Sequence, residues 1–414
     1  MLFLYNVFIV LLLPVLFLRL VIKAKDDVQY ISCIWERVGL YFEAPPCRVW
    51  VHAVSVGEVV AATALIDRLL RKYPQDKIIV SVMTPTGKSR LRKIYQHEPR
   101  IHCCFLPYDV SFFMKSFIKK FQPEILIIME TEIWPSMLNV THNANIPIIL
   151  ANARMSAKSC RKYAKFRSLS KFALSNIDII AAQYPYDAKR FAFLLGGSKK
   201  NIVTLGSVKY DLLPNPKETA IEDRLTFIAS CTHPGEEEHI FAAYKVLKQE
   251  FKDLRLIMAP RHVHRCDDLS KMLQEYMPDM TYGYYSKQGI GNVDVVFVDK
   301  IGVLDSCYNQ SNIVFIGGSL VERGAQSPLE AASLGKPILI GPSTYNFKAI
   351  VQDLAKSGGL ISIHDADSIA KEVAKMLLDP TLIAEIGIAA ANHVAANQGA
   401  ADLHMQYITD FLQE

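Results

Sequence analysis

The run Trp50-Val51-His52-Ala53-Val54-Ser55-Val56-Gly57-Glu58-Val59-Val60, continuing to Leu70, decides the fold. It opens as a short apolar, β-branched stretch with the composition of a buried strand, then breaks at Ser55 and Gly57. From Val59 the apolar residues take up helical spacing: Val59, Ala62, Leu65, Ile66 and Leu69 share one face, and Asp67, Arg68 and Arg71 lie on the other. The reading is strand, tight glycine turn, helix, with Glu58 in the helix's first turn. Open α/β folds place their chemistry where a strand's carboxyl end meets such a turn. The helix dipole there favours an ionised, base-competent carboxylate. An ordinary first-turn glutamate on a crossover helix has the same appearance, so the other motifs must decide.

Outward from this unit the pattern repeats. Apolar runs at Lys77–Met83, Ile125–Met129, Ile146–Ala151, Ile177–Ala182 and Ile202–Leu205 predict strands, with helical patterns at Ser89–Gln96, Ser111–Phe121 and Tyr186–Leu195. The second half predicts strands at Leu225–Ala229, Leu254–Pro260, Val293–Val298, Asn312–Gly317 and Pro337–Gly341. Helices are expected near Glu236–Phe251, Arg265–Tyr276, Leu329–Leu334 and Phe347–Lys356, with a long helical tail from Asp367. This alternation is that of parallel sheets. At 414 residues the chain is too long for one ordinary core. The fold class is therefore α/β, with two Rossmann-like doubly wound domains whose strand ends face a shared cleft. The expected boundaries are 1–22 for an anchor, 30–213 for the first domain and 216–414 for the second, with Gly206–Asn215, which includes Pro214, as the linker.

The net charge of +5 hides a polarity. Residues 1–213 hold 29 Lys+Arg against 15 Asp+Glu, a net of +14, and the remainder has a net of −9. A basic first half predicts an anionic partner: a phosphorylated substrate, a membrane surface or nucleic acid. Eight cysteines without a C-x-x-C pair exclude a zinc framework and fit reduced thiols. Met1–Leu18 is almost wholly apolar and Arg19, Lys23 and Lys25 follow it, without the leading charge and small-residue cleavage site of a signal peptide. It predicts a membrane anchor at the short end of spanning length, with a surface-lying helix as the alternative. The basic residues after it place the rest of the chain on the cytoplasmic side.

Several stretches can carry chemistry. Glu130 and Glu132 form an acid pair in Met129-Glu130-Thr131-Glu132-Ile133-Trp134-Pro135, directly after a strand. Lys209, in Gly206-Ser207-Val208-Lys209-Tyr210-Asp211, sits past a strand end where a cation can meet an anionic donor. Lys158, Arg161, Lys162 and Lys165, with Arg167, Lys171, Tyr163 and Phe166, form an amphipathic basic stretch suited to phosphates or anionic headgroups. Arg261 and His262 follow a strand and suit anions; His262 and His264 lack a third ligand at metal spacing. Ser230–Glu237 reads as an ordinary strand-to-helix turn with capping residues and first-turn acids, open to contacts with the donor. In Phe315-Ile316-Gly317-Gly318-Ser319-Leu320-Val321-Glu322-Arg323-Gly324, the glycines let backbone approach a ligand. Ser327-Pro328 then opens a helix able to receive a phosphate, and Glu330 can accept from ribose hydroxyls. Asp365-Ala366-Asp367 matches the D-x-D of metal-dependent sugar transferases but precedes a late helix, where capping accounts for it.

Together V-S-V-G-E, M-E-T-E-I-W-P, N-A-R-M-S, G-S-V-K-Y-D, P-R-H, G-G-S-L-V-E-R-G and P-L-E-A-A resemble, in order and over nearly the whole chain, the 3-deoxy-D-manno-octulosonic acid (Kdo) transferases of lipopolysaccharide synthesis. The resemblance implies a GT-B architecture, an inverting mechanism and no metal or other cofactor. It implies CMP-Kdo as donor on the second domain, lipid IVA as acceptor on the first, and a place at the bacterial inner membrane. Glu58 would be the general base, and Glu130 and Lys209 would steady the transition state. Arg261, His262, Gly302, Val303, Leu304, Ser327, Pro328, Leu329 and Glu330 would hold CMP. Lys158, Arg161, Lys162 and Lys165 would meet acceptor phosphates and membrane lipids. The chain departs from the family's usual G-G-H-N with Gly324-Ala325-Gln326-Ser327, which affects the contacts of Gln326 and Ser327 to the nucleotide. Glu36, in W-E-R-V-G, has no implied role. The alternative is another membrane-associated GT-B transferase with a different nucleotide sugar and a lipid acceptor. A nucleic-acid-binding protein is disfavoured, because no nucleic-acid motif is present and carboxylates at 58 and 130 would repel the phosphates.

Overall fold

The computed structural model describes the chain except for residues 26, 43–44, 200, 214–223 and 414, and the side chain of residue 413. The chain divides into two compact units, one made of residues 1–212 and 398–414, the other of 213–397.

The first unit opens with α1 (Leu2–Ala24), the one helix among the described residues long and apolar enough to cross a membrane. There follow β1 (Val49–His52), α2 (Val56–Lys72), β2 (Ile78–Val82), α3 (Pro85–Ile94), β3 (Ile101–Phe105), α4 (Ser111–Phe121), β4 (Ile125–Met129), α5 (Pro135–Asn143) and β5 (Ile148–Ala153). Next come α6 (Ala157–Lys165), α7 (Arg167–Leu174), β6 (Ile179–Ala182), α8 (Pro185–Leu194) and β7 (Ile202–Thr204). The seven strands are parallel in the order β3-β2-β1-β4-β5-β6-β7. Helices cover both faces, so β1 and β4 are buried at every residue, which is why both read as unbroken apolar runs. Val49 and Val51 pack with α2 in one core, and Trp50 packs on the other face against Phe117.

The second unit contains β8 (Thr226–Thr232), α9 (Glu237–Glu250), β9 (Arg255–Pro260), α10 (Cys266–Tyr276), β10 (Tyr282–Tyr284), α11 (Tyr285–Gln288), β11 (Val295–Phe297) and α12 (Leu304–Asn309). It continues with β12 (Ile313–Ile316), α13 (Leu329–Ser333), β13 (Ile338–Ile340), α14 (Lys348–Lys356), β14 (Leu360–Ser362), α15 (Ala366–Leu378) and α16 (Pro380–Ala396). Its parallel sheet runs β10-β11-β9-β8-β12-β13-β14.

The last helix, α17 (Ala400–Gln413), belongs to the first unit, whereas the sequence reading ends the second domain at 414. Ala400, Ala401, Met405, Ile408 and Leu412 sit in the core on the α2 face. Asp211 caps this helix by accepting from the Gly399 and Ala401 amides at 2.5 and 2.7 Å. His404 is fully buried and accepts the Asn152 amide of β5 at 3.0 Å through Nε2, while its Nδ1 lies 2.7 Å from the Ala400 carbonyl. The expected linker is also revised: Val208–Leu212 is a 3-10 turn with Val208 and Tyr210 buried in the first unit, and Pro214 and Asn215 lie outside the described residues.

The predicted tail is three helices, and the basic stretch is two, because the chain breaks at Phe166 between α6 and α7. The D-x-D match is a cap, as expected: Asp365 and Ser368 form a reciprocal capping box on α15.

Candidate active site

In each doubly wound sheet the strand order reverses at one point, between β1 and β4 in the first unit and between β8 and β12 in the second. Ligands of such folds bind outside the carboxyl ends of the strands at that point. In the first unit Glu58 follows β1 and Glu130 follows β4, so the two acids flank the reversal.

Glu58 occupies the third position of α2, and its carboxylate bends back to accept the Val54 amide at 2.8 Å and the Ser55 hydroxyl at 2.9 Å. These bonds fix the side chain over the strand end. Burial, then the nearby carboxylates of Glu132 and Glu130, raise its pKa from the usual 4.5 to about 7 against the pull of those two hydrogen bonds. A base poised there exchanges protons readily near neutral pH.

Glu130 has φ of +57°, a left-handed conformation uncommon for a residue with a side chain. Its amide donates to Ala151 at 3.0 Å, and its carboxylate pairs with the Lys209 ammonium at 2.8 Å. Lys209 stands in the 3-10 turn between Val208, whose amide donates to Asn152 Oδ1 at 3.2 Å, and Asp211, the cap of α17. The G-S-V-K-Y-D and N-A-R-M-S stretches thus brace one another, and Asn152 itself is buried with φ of +50°. Glu132 accepts the Trp134 indole N–H at 2.8 Å, and burial raises its pKa, with Glu130 adding to the rise. Glu58, Glu130, Glu132 and Lys209 are therefore brought to one place. Lys158, Arg161, Lys162 and Lys165 are all exposed on α6 and carry no ion pair among the described residues, with Phe166 exposed after them.

Glu36 is spoken for. Its carboxylate pairs with Lys88 at 2.9 Å and accepts the Phe105 amide at 2.6 Å, a structural ion pair beneath β3.

In the second unit a buried acid ties together the two loops at the reversal point. Glu236, fully buried, accepts the amides of His233, Gly318, Ser319 and Leu320 at 2.7–2.9 Å. The Ser230–Glu237 turn is more than an ordinary capped turn, and the Gly318 and Ser319 amides are already satisfied by a carboxylate. The glycines of this loop serve packing: a Cβ at Gly317 would meet the Cys231 carbonyl at 2.4 Å, and one at Gly324 would meet the Tyr345 ring at 2.6 Å.

The predicted nucleotide residues gather around the ends of β8, β9 and β12. Arg261 and His262 are exposed after β9, and the His262 ring lies 6.2 Å from that of His233. Gly302, with φ of +84°, and Val303 lead into Leu304 at the start of α12. Glu330 lies on α13; burial raises its pKa, helped by Asp305 of α12, which places the two turns side by side. Burial raises the pKa of the Cys231 thiol at the end of β8, with nearby Arg261 opposing the rise and nearby Glu330 adding to it. Pro328 and Leu329 are buried, and the Leu329 amide donates to Ser327 Oγ at 3.4 Å. Ala325 adopts φ of +58°, so the departure from the family's glycine places a methyl group in a left-handed conformation. Among the described residues no three His, Cys, Asp or Glu side chains are arranged to hold a metal.

Two Rossmann-like units of this kind, each with its strand ends lined by polar and ionisable side chains, define a protein of the GT-B fold class. A UDP-GlcNAc 2-epimerase from Neisseria meningitidis superposes over 88% of this chain and all of its own, with a TM-score of 0.62 at 12% identity. MurG from Acinetobacter baumannii covers 89% of this chain and 99% of its own, with a TM-score of 0.55 at 14% identity. The model for the 3-deoxy-D-manno-octulosonic-acid transferase (kdotransferase) family matches residues 32–212, and that for glycosyl transferases group 1 matches residues 236–393. The 3-deoxy-D-manno-octulosonic acid transferase of Haemophilus influenzae is 31% identical over 99% of both chains. The chain belongs to the 3-deoxy-D-manno-octulosonic acid transferase family and is a glycosyltransferase.

Proposed function

We propose that the protein transfers Kdo from CMP-Kdo to lipid IVA, with inversion at the anomeric carbon and without a metal. The carrying observation is Glu58, a carboxylate fixed at the reversal point with its pKa raised to about 7. In this reading it takes the proton of an acceptor hydroxyl as that oxygen attacks the anomeric carbon of Kdo. The bond from that carbon to the CMP phosphate breaks, and its electron pair leaves with CMP. Glu130 and Lys209, held as a pair at 2.8 Å, face the charge that separates between sugar and phosphate. The opposite charges let one site favour both the cationic sugar and the anionic leaving group.

Arg261, His262, the Gly302–Leu304 turn and the Ser327–Glu330 turn hold the nucleotide, with Arg261 on the phosphate and Glu330 on the ribose. The unpaired cations of α6 meet the acceptor phosphates. The apolar α1 attaches the chain to the inner membrane on its cytoplasmic side, where the acceptor's acyl chains reside. Family membership supports the sugar transferred, and the basic first half supports a phosphorylated acceptor.

The test is product mass from purified protein with lipid IVA and CMP-Kdo, in the presence of EDTA, beside Glu58→Gln. A gain in Kdo units from the wild type that the variant abolishes while still binding CMP is expected. No gain from a folded, CMP-binding wild type overturns the donor and acceptor, and loss of the gain in EDTA overturns metal independence.

A further inference from the structure

The N-terminal helix is more than a tether. Residues 2, 5, 6, 9, 12, 13, 16, 17, 20, 23 and 24 of α1 are partly or fully covered, a helical period sustained along its whole length. The contacts that cover it are specific. The Tyr5 hydroxyl donates to Asp109 at 2.8 Å, and Asn6 accepts the Ser111 amide at 2.6 Å and donates to Ser136 Oγ at 3.2 Å. Twelve residues further on, the Phe17 ring meets Tyr108 edge-on at 5.5 Å, and Lys23 lies over Tyr30 at 5.0 Å. At 1.5 Å per residue, the contacts from Tyr5 to Phe17 spread over about 18 Å of helix, and the buried Leu20 extends the covered face a turn further, while Lys23 meets only the turn that follows the helix. A helix crossing a bilayer about 30 Å thick cannot keep both ends against a unit that lies outside it. The opposite face is Leu4, Phe8, Leu11, Val15, Leu18 and Ile22, all exposed and all large and apolar. The exposed Arg19 and Lys25 follow that stripe towards the end of the helix, as suits a surface of anionic headgroups.

The docked end touches the machinery of the site. Asp109, buried, accepts the Ser136 and Met137 amides at 2.9 and 2.8 Å and so caps α5, the helix that begins directly after the Glu130–Trp134 loop. Tyr5 completes that cap, and Asn6 holds the first turns of α4 and α5 together. Resting on the membrane attachment proposed above, we infer that α1 lies in the plane of the bilayer, docked lengthwise on the first unit, and that Tyr5 and Asn6 are positioning residues that tie the membrane-bound helix to the acid loop. The bilayer then sets where Glu130 and Glu132 stand relative to a lipid acceptor held in the same surface.

The experiment uses the full chain bound to phosphatidylethanolamine vesicles containing phosphatidylglycerol, with a fluorescent amino acid placed singly at positions 4, 11 and 18 and read against lipid quenchers at fixed depths. All three positions at one shallow depth are expected. A profile that passes through the bilayer centre at position 11 means a spanning helix and overturns the inference while leaving attachment intact. No quenching at any position removes attachment and the inference with it. The second arm is Tyr5→Phe with Asn6→Ala, which leaves the apolar stripe untouched. Vesicle binding and the thermal transition should persist, kcat on vesicle-borne acceptor should fall about ten- to a hundred-fold, and the donor KM should not move. An unchanged kcat, or a fall matched by loss of folding, overturns the positioning role.

Discussion

Replacing Glu58 by Gln should make the protein both less active and more stable, and the two effects have one cause. In the folded chain burial and two neighbouring carboxylates hold this carboxyl at about 7, against about 4.5 when unfolded. The folded chain therefore keeps a proton between those values that the unfolded chain has released. Stability from this group is fully present below pH 4.5 and is lost as the pH rises through 7. The displacement corresponds to about 3 kcal/mol in total. Glutamine removes that loss, because its amide oxygen can still accept from Val54 and its nitrogen can donate to Ser55. At pH 8 the variant should be more stable by up to about 3 kcal/mol, and at pH 4.5 the difference should shrink towards zero. Turnover should fall about 10²- to 10⁴-fold, the usual contribution of a general base. All three tryptophans, Trp35, Trp50 and Trp134, lie in the first unit, so urea unfolding followed by tryptophan fluorescence reports on that unit alone. Equal stability of the two proteins across this pH range would refute the raised pKa. Turnover within a few-fold of wild type would refute the base.

Three further outcomes follow from the same structure. Glu132→Gln removes the larger of the two carboxylate influences on Glu58, so the acidic limb of the kcat/KM profile should move to lower pH; a limb that stays in place would show that the two acids do not communicate. A chain ending at Asn397 loses Met405, Ile408 and Leu412 from the first unit's core, and at about 1.5–3 kcal/mol for each buried side chain this approaches the whole stability of a domain. Its tryptophan fluorescence should show the first unit unfolded at 25 °C, and a native-like spectrum would contradict the assignment of α17. Ala325→Gly relieves a left-handed alanine and should raise stability by about 1 kcal/mol, read as an upward shift in the second unit's thermal transition.

Much of the scaffold was legible because buried parallel strands are unbroken apolar runs. Strand β3 carries no such signal: Ile101-His102-Cys103-Cys104-Phe105 has a half-buried histidine at the sheet edge, where only partial burial is required. Short β10 and β14, also at an edge, offer three residues each, too few for a periodicity. Glu58, Glu130 and Lys209 stood out by their position after strands, but that Glu130 and Lys209 pair could not be read from residues 79 positions apart. Glu236 shows the same limit in reverse. It looked like a first-turn acid, and only the fold brings the Gly318–Leu320 amides onto it. The placement of α17 was hidden for a related reason, since an amphipathic helix states which face is apolar and not which core receives it.

That placement has a consequence for how the protein is made. Residues 213–397 leave the ribosome before the helix that completes the first unit exists. The surface of α2 destined to receive Met405, Ile408 and Leu412 must stay uncovered while the whole second unit is translated, at about 5–20 residues per second for roughly ten to forty seconds. Nascent chains in that interval present an apolar face with no internal partner, a natural place for a chaperone to bind. The unit that is begun first is finished last.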